Sequence, residues 1–146
     1  MTIAAGQHEL FIAELASAIR SHSQLPAFPS GITLEQAYAM LPDVVSLVCD
    51  TRTRGLKAGL TNPALQELFG LEDALMGLLF DWGECSPGSR LPYREHSQLE
   101  CELGIVLNAN RQPVSIGPAI EFVHLNFLRP EDFTPANLVI SSLGAD

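Results

Sequence analysis

Lysine is nearly absent. Lys57 is the only one in 146 residues, and eight basic side chains face seventeen acidic ones, for a formal net charge of −9. Too few cations are present to build a stripe along a phosphate backbone, which argues against nucleic-acid binding. The same balance repels an anionic membrane surface. Long apolar runs are lacking too: no stretch approaches the ~20 residues a membrane-spanning helix needs. No basic segment leads into an apolar one at the start of the chain, so no signal peptide is expected. Cysteine is limited to Cys49, Cys85 and Cys101, an odd number with no C-x-x-C pair. That excludes a zinc knuckle by spacing and points to a reducing, cytoplasmic setting with the thiols kept as small apolar side chains. No G-x-G-x-x-G, Walker or G-x-S-x-G pattern occurs, which leaves nucleotide cofactors and serine-hydrolase chemistry without support.

What is present is apolar. Hydrophobic residues make up 47% of the chain and charged residues only 17%, at a mean hydropathy of +0.18. A core is affordable, disorder is excluded, and so small a charged fraction predicts a surface covered by further copies or by a partner chain.

The N-terminal part reads as helical. "QHELFIAELASAIR" places Phe11, Leu15, Ala18 and Ile19 on one face. "TLEQAYAML" opens with Thr33 and Gln36 in capping-box spacing, and Pro42 is expected to stop that helix. "VVSLVC", 44–49, suits either a strand or a longer helix. "LKAGLT" reads as extended. Asn62 and Pro63 then predict the cap and first position of a short helix, with Leu65, Leu68 and Phe69 as its apolar side and Gly70 as its end. From residue 76 turn formers recur, and the apolar runs at 99–107, 119–125 and 138–143 are expected to be strands. The fold class is α+β, with an N-terminal helical region over 1–55 and a β-rich region over 56–146.

The chemistry lies in misplaced charges. In "SQLECELGIVL", strand alternation sends Glu100 and Glu102 to one face, with Cα atoms ~6.6 Å apart, and Leu99, Cys101 and Leu103 to the other. Two such anions need solvent, a nearby cation such as Arg90, Arg94 or Lys57, or a hard divalent metal such as Mg²⁺ or Mn²⁺. Glu121, between Ile120 and Phe122, is either the wet side of an edge strand or a third carboxylate closing that site. Lys57 stands near Gly55 and Gly59, which permit close approach, and could hold a carboxylate or enolate or simply reach solvent. His124 and His96 could lie near the carboxylates; His8 and His22 read as surface residues.

Taken in order, "TLEQAYAML", "RGLKAGLTNPALQELFG", "MGLLFD", "LECELGIVL" and "PAIEFV" resemble the 2-keto-4-pentenoate hydratase group of the fumarylacetoacetate hydrolase superfamily, which includes the 4-oxalocrotonate decarboxylases. The most specific match is "GLKAGLTNPALQELFG". The resemblance spans roughly residues 30–146 and corresponds to the first part of a family member. It implies a partial mixed β-roll and a Mg²⁺ or Mn²⁺ site made by Glu100, Glu102 and Glu121, with Lys57 as the catalytic lysine. It implies hydration of a 2-hydroxypenta-2,4-dienoate-type 2-keto acid; the alternatives are decarboxylation of a 4-oxalocrotonate-type diacid, or a shortened, inactive scaffold. The sequence departs from the family at Gln98, where the family has arginine, and at His124, where it has an acidic residue.

Overall fold

The computed structural model describes residues 5–48, 53–94 and 97–142. Cys49 and His96 lie outside the described residues. Among these residues four α-helices and two antiparallel strand pairs follow one another as α1 (Ala5–Ser21), α2 (Leu34–Val48), β1 (Thr53–Gly59), α3 (Pro63–Phe69), β2 (Leu75–Phe80), β3 (Ser97–Leu107), β4 (Pro113–His124) and α4 (Pro135–Ile140). β1 pairs with β2 and β3 with β4, and the two sheets do not join into a closed barrel. Helices followed by partial sheets of this kind are the α+β partial roll expected from the sequence.

The core is built from the helices. Phe11, Leu15, Ala18 and Ile19 are all buried on α1, as their periodicity predicts. The Thr33–Gln36 capping box forms in both directions: Thr33 N–H donates to Gln36 Oε1 at 3.0 Å and Gln36 N–H to Thr33 Oγ1 at 3.2 Å. Pro42, however, does not end α2. The helix runs on to Val48, with Ala37, Met40, Leu41, Val44 and Val48 buried in one continuous stripe against α1 and α4. Burial of that stripe outweighs the hydrogen bond that proline removes, and Pro42 sits on the exposed side, where water can meet the freed carbonyl. The ambiguous segment 44–48 is therefore helical.

The expected strand at 138–143 is corrected likewise. Thr134 caps α4, accepting from Asn137 N–H at 3.2 Å, and Pro135 occupies the first turn. Leu138, Val139 and Ile140 are buried with Ala136 in the centre of the helical core. A short apolar run fits a buried helix as well as a strand, and the Thr-Pro start decides between them.

The turn after α4 and a side chain of α2 close the free edge of β2. Ser142 Oγ accepts from Leu78 N–H at 3.0 Å and donates to Leu78 C=O at 3.1 Å, and the Tyr38 hydroxyl accepts from Met76 N–H at 2.9 Å. The outward amides of β2 thus find side chains instead of another strand. A second tie joins the loop after α1 to the segment before α4. Arg129 Nε donates to Asp132 Oδ2 at 2.9 Å, and its Nη2 to Asp132 Oδ1 at 2.6 Å and Phe28 C=O at 3.0 Å. The hydrogen bond from Arg129, with help from the Phe28 amide, holds the Asp132 carboxyl below its ordinary range against the opposing effect of burial.

Two regions expected to be covered are not. Asn62 and Gly70 cap α3 as predicted, with Gly70 at φ 65°, but none of its residues is buried and Leu68 is 75% exposed. Cys85 and Cys101 are exposed rather than packed as small apolar side chains. For Cys101 the reason is its place on the outer face of the β3–β4 ribbon, which no other element among the described residues covers.

Candidate metal centre

β3 and β4 form a long antiparallel ribbon whose register sets Glu100 opposite Glu121 and Glu102 opposite Ala119. Alternation then gathers the three carboxylates on one face. Each offers an oxygen, and these oxygens lie within 4.8 Å of one another. Glu100 and Glu102 are exposed and Glu121 is half-buried. Three hard oxygen donors at this spacing suit a divalent cation such as Mg²⁺ or Mn²⁺, and such an ion would relieve their mutual repulsion.

Lys57 reaches this cluster from the other sheet. It lies mid-strand in β1, opposite Gly77 of β2, and its ammonium donates to Glu121 Oε1. Its side chain is only 9% exposed. A buried lysine is stable only with a partner, and Glu121 is that partner. One ammonium against three carboxylates leaves an excess of two formal negative charges, which matches the charge of a divalent ion.

Beyond Glu102 the same face continues as Gly104, paired with Gly117 and adjoining Ala119. A Cβ on Gly104 would come within 3.3 Å of the Ala119 side chain. These small residues make the ribbon shallow beside the carboxylates and leave lateral room for a ligand. The opposite face has a different character. Leu99, Leu103, Ile105, Ile116 and Ile120 are each more than half exposed and form a long apolar surface.

Of the residues singled out from the sequence, Lys57, Glu100, Glu102 and Glu121 therefore come together. His124 does not join them by alternation: it lies three positions from Glu121 on β4, on the opposite face of the ribbon, beside Ser97. His8 is 3.8 Å from Asp43, and His22 packs edge-on against Trp82. The sequence reading missed Tyr38 and Ser142 as edge caps and the Arg129–Asp132 fork. Only the last had a signal, the i, i+3 spacing in "RPED". A groove of roughly 620 Å³ lies between the 28–34 loop and the start of α4. Its Arg129 and Asp132 are spent on each other and none of the three glutamates lines it, so the convergent charge is at the ribbon.

No family model matches the chain, and no curated protein matches it. Solved structures do. The chain has the fold of a 4-oxalocrotonate decarboxylase from Pseudomonas putida G7 complexed with magnesium and adipate, at TM-score 0.77 and 18% identity. The match covers 99% of this chain and 62% of that one. A structure of the same enzyme with calcium and acetate matches at TM-score 0.70 and 17% identity, over 99% and 61%. What the chain shares with these structures is the fold, over a little more than three-fifths of their length. The chain spans less than two-thirds of the length of the solved structures it matches.

Proposed function

We propose that this chain carries the metal-binding part of a lyase acting on small 2-keto acids, with decarboxylation of a 4-oxalocrotonate-type diacid favoured over hydration of a 2-hydroxydienoate. The observation that supports it is the cluster of Glu100, Glu102 and Glu121 within 4.8 Å, on a fold shared with a decarboxylase complexed with magnesium. Those three side chains would hold Mg²⁺ or Mn²⁺. A bound divalent ion would supply Lewis-acid stabilisation of the negative charge that develops on a 2-keto acid.

The chain's own residues do the rest. Lys57 holds a buried positive charge at the edge of the cluster, placed to balance an anionic substrate group or the electron pair left when CO₂ departs. Gly104, Gly117 and Ala119 give an extended, planar acid space along the ribbon. Water exclusion requires the open sheets to be covered, and the exposed apolar face supports assembly with further copies or with a chain that completes the roll.

The test is an assay of purified protein with Mn²⁺ against 4-oxalocrotonate and 2-hydroxypenta-2,4-dienoate, with Glu102→Gln beside it. Metal-dependent CO₂ release lost in the variant supports the decarboxylase reading. Hydration alone reassigns the reaction to a hydratase. Metal binding with neither reaction leaves a metal-binding scaffold.

A further inference from the structure

The ion pair between Lys57 and Glu121 has a consequence for the metal site. We propose that Lys57 is a counter-ion that sets the affinity of this site: its charge, held on Glu121, opposes a divalent cation that addresses the same carboxylate. The inference rests on the metal-site reading above and concerns how that site is regulated.

Three observations carry it. The ammonium donates to one oxygen of a carboxylate that belongs to the cluster, so lysine and metal address the same group. The side chain is 9% exposed and comes from β1, whereas all three carboxylates stand on β3 and β4. Lys57 therefore does not wander in and out of solvent like a surface lysine; it is held on a separate sheet and aimed at the cluster. Finally, Glu100 and Glu102 are exposed while Glu121 is half-buried, so Glu121 is the carboxylate most in need of a partner.

Two opposed effects follow from removing the lysine charge. Loss of the contact loosens Glu121, which would weaken binding. Loss of a positive charge beside the cluster removes repulsion against the incoming cation and frees an oxygen, which would strengthen it. Charge dominates, because like charges a few ångströms apart in a partly buried site interact more strongly than one rotamer restraint. Lys57→Met, which keeps the apolar stem, is expected to bind Mn²⁺ about tenfold more tightly than wild type. Lys57→Arg keeps the charge and is expected to stay near wild type.

The experiment is calorimetric titration of Mn²⁺ into wild type, Lys57→Met, Lys57→Arg and Glu102→Gln, each first checked for folding by circular dichroism. Tighter binding in Lys57→Met with an unchanged Lys57→Arg supports the proposal. If Lys57→Met misfolds, Lys57→Gln takes its place with the same expectation. Equal or weaker binding in the uncharged variant, while Glu102→Gln still abolishes binding, overturns the counter-ion role and leaves the metal site standing. No Mn²⁺ binding in wild type or the uncharged variant, or binding indifferent to Glu102→Gln, overturns both.

Discussion

Glu102→Gln separates a carboxylate kept for ligand binding from one kept for the fold, because the two roles predict opposite signs. Glu102 stands opposite Ala119, is exposed, and shares its face with two other carboxylates. At 4.8 Å, two unit charges in a water-like medium repel by about 0.9 kcal/mol. Physiological salt, with a Debye length of about 8 Å, cuts that to roughly 0.5 kcal/mol. The Lys57 ammonium offsets the charge of Glu121, so Glu100 is the neighbour that counts, and neutralising Glu102 should stabilise the protein by about 0.5 kcal/mol, a rise in Tm of roughly 1–2 °C for a chain of this size. Glutamine keeps the length and strand character, so little packing is lost. Metal affinity should move the other way. Losing an outer hydrogen-bond partner of a metal site costs roughly 10–100-fold, and losing one of three ligands should cost at least about 100-fold. The assay pairs thermal denaturation without metal with Mn²⁺ titration. A variant that melts lower than wild type, or binds Mn²⁺ as well, refutes the reasoning: Glu102 would then stabilise the ribbon through a contact of its own.

Two further outcomes follow from the frame that carries the site. Asp132→Asn should lower stability by about 2 kcal/mol, because it removes the charge that Arg129 grips and weakens the acceptor for Phe28 N–H; urea denaturation at neutral pH reads it. The folded Asp132 carboxyl is held below its ordinary range, so its contribution is full above the unfolded value of about 3.9 and is lost as pH falls through the lower folded one. Wild type should therefore lose more stability than Asp132→Asn on acidification below about pH 4, and equal slopes would contradict it. Pro42→Ala should stabilise the protein by about 2 kcal/mol with a gain in helical circular dichroism, since Pro42 removes a hydrogen bond inside α2 on its exposed side; no gain would mean that the packing of α2 depends on the proline.

Local punctuation made much of the fold legible. Thr33 with Gln36, and Asn62 with Pro63 and Gly70, form caps because they satisfy amides and carbonyls that no tertiary contact can reach. The alternation around Glu100 and Glu102 marked a strand, and its cross-strand partner Glu121 was visible as a charge in an apolar run. What misled was length and burial. Pro42 reads as a stop because proline costs a hydrogen bond, yet Val44 and Val48 continue the buried stripe beyond it. The run from Leu138 is as apolar as a strand, and only the Thr134–Pro135 start reveals the helix. Tyr38 and Ser142 act through hydroxyls whose targets, the amides of Met76 and Leu78, are 38 and 64 residues away, so no local pattern could announce them.

The two surprises of exposure lead back to the site. Leu68 on α3 and Leu99 and Leu103 on the ribbon lie on the apolar sides expected of them, but among the described residues they stay largely uncovered, as do Ile105, Ile116 and Ile120 beside them. The seven most exposed aliphatic side chains of the ribbon's outer face, Leu99, Leu103, Ile105, Leu107, Val114, Ile116 and Ile120, present on the order of 700 Å² of apolar surface. That approaches the roughly 800 Å² per partner of a standard interface and exceeds what a monomer usually leaves in water. The carboxylates sit on the other face of the same two strands, so whatever covers the apolar face also fixes the ribbon's twist and hence the spacing of Glu100, Glu102 and Glu121. Metal affinity should accordingly depend on protein concentration if a second copy provides the cover. It should rise on addition of a covering partner chain if a partner does. In either case the expected coupling would run through the single layer of backbone that the apolar face and the three carboxylates share.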